Sequence, residues 1–385
     1  MDAELNLLSK KTALVTYAID ASSANKKRRT GVENYARDLI QAMKSHPLVE
    51  GERVVLYSPT PLDGKLGEQP EGWSSSVLNW SFSRGWMALR VRWELLRKKP
   101  TVLFVPSQAI PKASKKVKIV TAIHDVAFAR RPDLYDPKVR KRLKKVTHRA
   151  LKRSEKVLVP SQATADDLSQ IYRAPKEHIV VAPLAPSIQM EQTDFRSTLQ
   201  HYRLGANFFL TVGRLESKKN ITNLIKGFEL FKSRRGVGDP FELVLVGEPG
   251  FGYEEIKKYL EHSSAKEAIR SLGYVPDDQV AHLMAGATAY TFPSWYEGFG
   301  IPNLEAMSAG TALISSDIPA HREVVGDAGI LVPPNEAEGW AQAMEKIVRD
   351  PAIRQGLIDK GTARAATFSW ERTAQQTWEV LRSLV

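Results

Sequence analysis

Short runs of β-branched and aromatic residues alternate along the chain with segments whose apolar residues recur at helical spacing. This alternation is typical of βαβ units, in which crossover helices join parallel strands. Residues 13–19 predict a buried first strand, and the apolar positions of residues 32–44 fall on one face of a first helix. Further strands are predicted at 53–57, 101–105, 117–123 and 156–159, with helices at 84–98, 137–153 and 164–172.

Residues 182–187 interrupt the pattern, because Pro183 and Pro186 suit neither a helix nor a strand. We therefore predict an α/β fold with two doubly wound, Rossmann-like domains at residues 1–186 and 187–368, followed by a helix at 369–385. In such sheets ligands bind beyond the carboxyl ends of the strands, so we expect the two domains to face each other across a cleft. The strands of the second domain are predicted at 208–212, 241–246, 289–292, 312–315 and 330–332.

The predicted helix 84–98 carries an apolar stripe of its own. Trp86, Leu89, Trp93 and Leu96 recur within it at helical spacing. We expect this stripe to face the core of the first domain.

Composition narrows the class of protein. The 385 residues include no cysteine, which excludes disulfides and thiolate metal sites. Neither a run of eighteen apolar residues nor a basic-then-apolar signal pattern occurs in the sequence. We therefore expect a cytoplasmic protein without a membrane-spanning segment.

Positive charge is concentrated in the first half of the chain. Residues 1–190 hold 34 lysines and arginines against 18 aspartates and glutamates, a net charge of +16, whereas residues 191–385 carry −4. Such an asymmetry indicates that the first domain meets an anionic surface or partner.

Residues 137–153 predict a basic amphipathic helix. We expect its apolar stripe to pack on the core and its basic face to attract an anionic membrane surface, at about 1 kcal/mol for each exposed basic group. The stripe consists of Val139, Leu143, Val146 and Ala150.

The segment 295–310 carries the most specific chemical signal. Glu297 and Glu305 bracket a glycine-rich turn, in which Gly298 and Gly300 permit close approach of a ligand. A proline then opens a helix, whose free N-terminal amides suit a phosphate group. Carboxylates beside such a surface accept hydrogen bonds from hydroxyl groups. The segment therefore predicts a ligand that carries both phosphate and hydroxyls.

A second candidate element follows the predicted strand 208–212. Gly213 permits a tight turn there, and Arg214 and Lys219 project from the loop beyond it. Arginine offers planar, bidentate hydrogen bonds and lysine a mobile charge, so together they can bind a diphosphate. A solvated basic loop between strand and helix is the alternative.

Two further candidates lie in the first domain. His124, followed by Asp125, comes directly after the predicted strand 117–123. A neutral imidazole at that place can hydrogen-bond a sugar hydroxyl or a phosphate oxygen, and a purely structural histidine is the alternative. Gly31 begins the first helix, where it either leaves room for a ligand or ends a loop.

Several catalytic and binding motifs do not occur in the sequence. Asp-X-Asp pairs and clusters of His, Asp or Glu with metal-ligand spacing are absent, so no metal site is predicted. The P-loop, the dinucleotide fingerprint and the nucleophile elbow are missing too. The basic residues do not form a recognisable nucleic-acid module, which disfavours nucleic acid as a partner.

Together these elements resemble glycosyltransferase family 4, the retaining enzymes of the GT-B fold, over essentially the whole chain. The two-glutamate element, about eighty residues after the Gly-Arg…Lys element, is the most specific part of the resemblance. The sequence departs from the family at Thr30-Gly31, where members often carry a glycine pair. The segments that resemble the family are 31–35, 124–125, 159–164, 213–220, 297–305 and 323–329.

The resemblance implies which residues bind the nucleotide part of a donor. Arg214 and Lys219, beside Gly213, would hold the donor diphosphate. Glu305 would bind the ribose hydroxyls. Gly31 would let the first loop of the N-terminal domain approach the reaction centre.

The resemblance also implies how the transferred sugar is bound. Glu297 would accept hydrogen bonds from its hydroxyls, together with the backbone of Gly298, Phe299 and Gly300. His124 would extend towards the sugar from the opposite side of the cleft.

The implied reaction is a retaining, metal-independent hexosyl transfer that needs no cofactor. The donor is a nucleotide-diphosphate sugar, and the acceptor is a saccharide or a lipid-pyrophosphate-linked saccharide. The segment around His124 looks most like that of mannosyl- and rhamnosyl-transferring members, which favours GDP-mannose over UDP-glucose. Arg214, Lys219 and a helix dipole would meet the charge of the leaving diphosphate in place of Mg²⁺. The helix at 369–385 would cross back onto the acceptor-binding first domain.

Other classes of protein stay open on the sequence alone. A sugar-nucleotide epimerase or a phosphorylase-like enzyme also has two α/β domains, although no lysine stands out as a site for pyridoxal phosphate. The non-enzymatic alternatives are a basic nucleic-acid-binding protein and a two-domain binding protein. The two-domain binding protein would not require two glutamates and a histidine on opposite sides of a cleft.

Overall fold

Two parallel β-sheets organise the chain. The structure is a computed structural model that describes residues 14–26, 30–82, 85–187, 195–236 and 238–385. Within these residues, thirteen strands form one seven-stranded and one six-stranded sheet, and every pair of neighbouring strands is parallel. The predicted α/β class with two Rossmann-like sheets is confirmed.

The first sheet takes its strands from the N-terminal half. They are β1 (Val15–Asp20), β2 (Glu52–Ser58), β3 (Trp73–Val77), β4 (Val102–Val105), β5 (Lys118–Ala122), β6 (Lys156–Val159) and β7 (Ile179–Val181). Their order across the sheet is β3-β2-β1-β4-β5-β6-β7. All four residues of the central strand β4 are buried, as expected where helices cover both faces of a parallel sheet. Residue 13, the first of the predicted strand 13–19, lies outside the described residues.

The second sheet repeats this arrangement. Its strands are β8 (Phe208–Val212), β9 (Glu242–Val246), β10 (Ile269–Gly273), β11 (Ala289–Phe292), β12 (Leu313–Ser316) and β13 (Ile330–Val332). Their order is β10-β9-β8-β11-β12-β13. The strand order therefore reverses between β1 and β4 in the first sheet and between β8 and β11 in the second. Ligands of open α/β sheets bind at such switch points.

Helices connect the strands and cover both sheets. They are α1 (Gly31–Lys44), α2 (Arg92–Lys98), α3 (Ala127–Arg130), α4 (Pro137–Arg153), α5 (Gln162–Tyr172), α6 (Arg196–His201), α7 (Ile221–Arg235), α8 (Tyr253–His262), α9 (Asp277–Gly286), α10 (Ile301–Ser308), α11 (Pro319–Val325), α12 (Ala337–Arg349), α13 (Pro351–Ala365) and α14 (Trp370–Arg382). Among the described residues, no helix has both the length and the apolar character that crossing a membrane requires.

The last helix, α14, lies against the first domain. The Ser369 side chain caps it by accepting a hydrogen bond from the Arg372 amide at 3.2 Å. Trp378 is fully buried, donates from Nε1 to the Met43 carbonyl at 3.2 Å, and packs edge-to-face on Tyr17. The end of the chain is thereby fixed to α1 and to the first sheet.

The predicted helix 84–98 does not face the core as expected. Residues Trp86–Val91 form a π-helical turn that continues into α2, and residue 84 lies outside the described residues. Trp86 packs against the cluster that contains the buried Val91 and Leu95, as predicted, whereas Leu89, Trp93 and Leu96 are exposed to solvent. The prediction was wrong because two apolar stripes occur on this segment, and spacing alone does not tell which of them the sheet covers.

Candidate active site

The loops that follow β8 and β11 meet at the switch point of the second sheet. β8 ends in Gly213, whose φ of +144° lies in the left-handed region that favours glycine. Gly247, at the end of β9, packs directly on this turn, because a Cβ at position 247 would lie 2.0 Å from the Gly213 carbonyl oxygen. The backbones of two neighbouring strand ends are thus in direct contact.

Two lysines and a glutamate form a charged cluster at this switch point. Lys219 Nζ lies 2.7 Å from Glu297 Oε1, and Lys218 Nζ lies 3.5 Å from Glu297 Oε2. The Ser294 hydroxyl donates to Glu297 Oε1 at 2.8 Å. Lys219 Nζ also lies 4.7 Å from the centre of the Phe292 ring, a cation–π distance. The loop after β8 and the loop after β11 are therefore joined through Glu297.

The charges in this cluster determine the state of Glu297. Burial alone would raise the pKa of its carboxyl group, but the ammonium groups of Lys218 and Lys219 outweigh burial and hold the pKa well below its ordinary range. Burial would lower the pKa of Lys218, but Glu297 and Asp125 raise it well above the usual value. Glu297 is consequently ionised at neutral pH. It can accept hydrogen bonds and stabilise positive charge, but it cannot act as a general acid.

The loop that contains Glu297 lies directly against the first domain. The Gly298 carbonyl accepts hydrogen bonds from Ser161 Oγ at 2.6 Å and from Thr164 Oγ1 at 3.1 Å. A Cβ at Gly298 would lie 1.8 Å from the His124 carbonyl oxygen, so no other residue fits without separating the two backbones. The glycine is required here by contact between the domains.

Two aromatic side chains of the same loop add to this contact. The Tyr296 hydroxyl donates to Asp167 Oδ2 at 2.5 Å, and the Arg131 guanidinium stacks over the Trp295 ring at 4.6 Å. Asp167 and Arg131 both belong to the first domain. The Trp-Tyr pair of the 295–310 segment therefore holds the domains together.

Glu323 makes a further contact between the domains. Its carboxylate accepts hydrogen bonds from the Gln162 amide at 2.9 Å and from the Ala163 amide at 3.2 Å, at the first turn of α5. A carboxylate is favourable there, because the amides at a helix N-terminus carry a partial positive charge. The 159–164 and 323–329 segments, which are far apart in sequence, thus contact each other.

His124 lies at the edge of the first sheet that faces the cleft. Its Nε2 lies 3.1 Å from the Pro106 carbonyl oxygen, and its ring packs edge-to-face on Tyr35 at 4.5 Å. Because a carbonyl only accepts, Nε2 carries the proton of this hydrogen bond. Burial lowers the pKa of the imidazole below its ordinary value. In the resulting neutral ring, Nδ1 is an acceptor, as contact with a sugar hydroxyl would require.

Arg214 and Glu305 are two further residues that the sequence predicts to bind the donor. The Arg214 side chain is exposed and lines a recess together with Lys219 and Phe292. Glu305 is half-buried on α10. Burial, Glu305 and Glu297 together raise the pKa of the Tyr290 phenol well above its usual value, so both carboxylates act on the same hydroxyl group.

The backbone turn before α10 is tightly packed against Asn303 and His321. Gly300 has a φ of +103°, and a Cβ there would lie 2.9 Å from Asn303 Nδ2 and 3.1 Å from His321 Nε2. The Phe299 side chain is buried against Phe368, so only the backbone of Phe299 is available to a ligand. The predicted involvement of residues 298–300 is therefore limited to their peptide groups.

Gly31 differs from the other glycines of the site. It is the first residue of α1, and a Cβ at this position would meet no protein atom within 4 Å. Packing within the protein therefore does not require a glycine. The open space at the start of α1 is compatible with the predicted approach of a ligand.

Sequence reasoning missed three residues of the site. Lys218 contacts Glu297, yet only its neighbour Lys219 had been assigned a role; the Lys-Lys doublet was the available signal. Ser161 belonged to a recognised segment, but nothing in the sequence joined its hydroxyl to position 298. His321, which is fully buried and stacks on Phe292 at 5.1 Å, precedes the 323–329 segment and belongs to no motif.

Comparisons with known proteins identify the family. A family model described as Glycosyltransferase Family 4 matches residues 29–185, and one described as Glycosyl transferases group 1 matches residues 199–364. O-antigen chain mannosyltransferase B of Escherichia coli is 31% identical over 293 residues, which cover 75% of this chain and 76% of the relative. The chain is a member of glycosyltransferase family 4.

Further similarities extend across most of this family 4 glycosyltransferase. O-antigen chain mannosyltransferase RfbU of Salmonella typhimurium is 27% identical over 275 residues, or 71% of this chain and 72% of the relative. Among solved structures, Anabaena Alr3699/HepE in complex with UDP-glucose has a TM-score of 0.73, covering 96% of this chain and 99% of that chain at 19% identity. The structural likeness shows the GT-B fold, and the family membership shows that the protein is a glycosyltransferase.

Proposed function

We propose that this glycosyltransferase transfers a hexose, with mannose from GDP-mannose as the favoured donor, to a saccharide or lipid-linked saccharide in surface polysaccharide synthesis. Two relatives support the sugar and the process, since both are named O-antigen chain mannosyltransferases. A UDP-glucose donor is the alternative, because the structurally similar HepE was solved with UDP-glucose.

The charged cluster at the β8/β11 switch point carries the proposal. Lys219 is paired with Glu297 at 2.7 Å, and the exposed Arg214 lines the same recess. Arg214 and Lys219 supply the positive charge for a donor diphosphate, while Glu297 and Glu305 supply acceptors for the sugar and ribose hydroxyls. A lysine that exchanges a carboxylate for a phosphate on donor binding keeps a charged partner in both states.

The proposed reaction retains the configuration at the anomeric carbon. The bond from the anomeric carbon to the diphosphate oxygen breaks, and the acceptor oxygen forms its bond to the same face of the ring. The acceptor proton passes to the leaving phosphate oxygen, so no protein base is needed. Glu297 positions the sugar and stabilises the oxocarbenium-like transition state without acting as a nucleophile.

Arg214 and Lys219 also account for the proposed independence from metal ions. Negative charge that develops on the leaving diphosphate is met by the guanidinium of Arg214 and the largely buried ammonium of Lys219. His124 contributes from the first domain, as an uncharged acceptor for a hydroxyl of the transferred sugar.

The acceptor side of the proposal concerns the basic first domain. A lipid-pyrophosphate-linked acceptor carries negative charge, and residues 1–190 carry a net charge of +16. We assign acceptor binding to this domain and a cytoplasmic location to the enzyme. The basic face of α4 would lie along the anionic inner surface of the cell membrane.

The test uses the purified protein with GDP-mannose, UDP-glucose, ADP-glucose and dTDP-rhamnose, each with EDTA and with Mg²⁺. We expect GDP-mannose to raise the melting temperature and to release GDP slowly, because a bound ligand stabilises by about 2.7 kcal/mol at a hundredfold excess over Kd. Equal results with EDTA and Mg²⁺ are expected. Stabilisation by no donor would refute the site assignment.

Two product measurements separate the remaining alternatives. NMR of the glycoside gives the anomeric configuration, and an inverted product would refute the retaining mechanism. Sugar released without an acceptor, in its epimeric form, would indicate an epimerase instead. A strong response to UDP-glucose alone would assign the alternative donor while leaving the diphosphate site in place.

A further inference from the structure

The segment 86–99 exposes an apolar stripe to solvent. Leu89, Trp93 and Leu96 are 58%, 49% and 52% exposed, and their spacing of four and three residues aligns them along one side of the segment. Val91 and Leu95 on the other side are buried in the first domain. The segment therefore has apolar residues on both sides, and only the side of Val91 and Leu95 packs on the first domain.

Arginines surround the central tryptophan of this stripe. The guanidinium groups of Arg90 and Arg97 lie 4.9 Å and 4.5 Å from the centre of the Trp93 ring. Glu94, the only acidic residue in 86–99, is buried and paired with Arg90 at 2.9 Å. The exposed side of the segment consequently presents apolar and cationic groups but no anionic group.

A second exposed aromatic residue lies at the start of the segment. Phe82 is 72% exposed and packs on the Trp80 ring at 5.2 Å. A Cβ at Gly85 would lie 3.3 Å from the Trp80 ring and 3.5 Å from the Leu89 side chain. Trp80 and Leu89 therefore both lie beside Gly85.

The basic helix α4 covers the same face of the first sheet as segment 86–99. Val91 and Leu95 pack in one cluster with Leu103 of β4 and Ile119 of β5, which are paired in register. Thr121 of β5 lies two residues after Ile119 and therefore projects from the same face. It is paired with Val157 of β6, and Val157 packs in one cluster with Ala150 of α4. Directly paired residues of a parallel sheet project from one face. Segment 86–98 and α4 therefore lie side by side.

The loop between β4 and β5 joins these two elements. Ala113 packs against the cluster beneath α2, and its carbonyl accepts a hydrogen bond from Arg153 Nη2, at the end of α4, at 3.2 Å. The same loop exposes three lysines at 112, 115 and 116. Helix α4 itself contains nine lysines and arginines and no acidic residue. The cationic surface is thus continuous from 86–99 through the loop to α4.

We propose that this surface docks on an anionic lipid bilayer, with Leu89, Trp93 and Leu96 inserted among the headgroups and the cations of 86–99, 112–116 and α4 on the lipid phosphates. We call these three segments the docking face. An apolar stripe with tryptophan, bordered by lysine and arginine and lacking exposed acidic groups, matches the chemistry of a bilayer interface. A protein partner would have to supply a large acidic surface to match the same charges.

The orientation of the docking face suits delivery of a lipid-linked acceptor. Segment 86–98 begins after the carboxyl end of β3, and α4 begins after the carboxyl end of β5. Both therefore start at the sheet edge that faces the cleft, where His124 lies. The delivery of a lipid-linked acceptor rests on the proposed function, whereas the docking on a bilayer does not.

Vesicle partition of the full-length protein tests the proposal without any donor. We expect binding to vesicles with about 30% phosphatidylglycerol in phosphatidylcholine and weak binding to phosphatidylcholine alone. The double variant Leu89→Gln/Leu96→Gln should bind anionic vesicles at least about tenfold more weakly. The matched control Val49→Gln/Tyr274→Gln alters two side chains that are equally exposed elsewhere, at 59% and 55%, and should bind like the wild type.

A fluorescence measurement tests whether Trp93 enters the headgroup region. Vesicles with brominated lipid should quench part of the tryptophan emission of the wild type, and Trp93→Tyr should lose most of that quenching while still binding. Three results would overturn the proposal: no binding to anionic vesicles, undiminished binding of the leucine variant, or quenching that Trp93→Tyr leaves unchanged. A wild-type protein that binds vesicles but turns over no nucleotide sugar would refute the proposed function and leave the docking proposal intact.

Discussion

Lys218 of the second domain and Asp125 of the first form an ion pair across the cleft, with 3.5 Å between Nζ and Oδ2. The same ammonium group lies 3.5 Å from Glu297 Oε2. One lysine therefore contacts a carboxylate from each domain, and the Lys218–Asp125 pair is partly buried. The charge of Glu297, which we propose binds the transferred sugar, is thereby coupled to the position of the first domain.

Replacement of this lysine should weaken both activity and stability. Lys218→Gln leaves Asp125 and Glu297 without a shared cation, and removing one partner of a buried pair is costly. Because the pair is partly exposed, we expect a loss of about 1–3 kcal/mol in the free energy of unfolding. The variant should also show at least about a tenfold lower kcat/KM. Lys266→Gln, at an exposed position of the same domain, serves as the control in urea unfolding and steady-state assays. Wild-type behaviour of Lys218→Gln in both assays would contradict the coupling.

The variant Arg214→Ala tests whether Arg214 contributes to catalysis without contributing to stability. Its side chain is exposed, so Arg214→Ala should change the free energy of unfolding by less than about 0.5 kcal/mol. If Arg214 binds the donor diphosphate, kcat/KM should fall by about 10²–10³. Arg214→Lys should recover part of the loss, since a lysine keeps the charge but not the bidentate geometry. Arg349→Ala, which removes an exposed arginine from the end of α12, should leave both quantities unchanged. Full activity of Arg214→Ala would refute the phosphate role.

The variant Gly31→Ala should impair activity without lowering stability. A Cβ at this position meets no protein atom, and the residue is the first of a helix, where alanine is tolerated. Gly31→Ala should therefore leave the melting temperature unchanged or raise it slightly. If the donor approaches the start of α1, the same methyl group should raise KM for the donor about tenfold or more.

Gly356→Ala is the matched control for this comparison. Gly356 lies inside α13, and a Cβ there would also meet no protein atom. The substitution should stabilise the protein by about 0.5–1 kcal/mol without any change in KM. An unchanged donor KM in Gly31→Ala would show that the first loop does not approach the donor.

The accuracy of the fold prediction depended on position within each sheet. Central strands such as β4 and β8 are buried on both faces, and their continuous apolar runs were recognised. Three of the four edge strands, β3, β7 and β10, were missed, whereas the fourth, β13, was predicted. β3 has the sequence Trp-Ser-Ser-Ser-Val and is mostly exposed, so it lacks the apolar run that identifies an interior strand.

The candidate site was predictable only where its residues are close in sequence. Glu297 and Glu305 share one short segment, and Arg214 and Lys219 share another, so each pair could be read as a unit. The hydrogen bond from Ser161 to the Gly298 carbonyl joins residues 137 positions apart, which no local pattern records. For the same reason the sequence did not reveal that Gly298 is required by the His124 backbone.

His321 supplies the last prediction, which concerns the pH dependence of stability. The ring is fully buried beneath the Gly300 turn, and Nδ1 lies 3.1 Å from the Ser316 carbonyl oxygen. Burial lowers the pKa of this imidazole from 6.5 to about 4. Between these two values the unfolded chain binds a proton that the native protein does not bind. The native state should therefore lose stability as pH falls through this window, by about 3 kcal/mol in total.

Urea unfolding at several pH values from 7.5 to 4 measures this contribution. Well above pH 6.5 the imidazole is neutral in both states and contributes no slope, whereas carboxyl groups add their own slope at the acid end. His321→Gln keeps a donor for the Ser316 carbonyl but cannot titrate. It should be less stable than the wild type at pH 7.5, because the ring stacking on Phe292 is lost. The difference between the two proteins should shrink by about 2–3 kcal/mol as the pH falls to 4. A difference that stays constant over the whole range would show that His321 is protonated as readily in the native protein as in the unfolded chain.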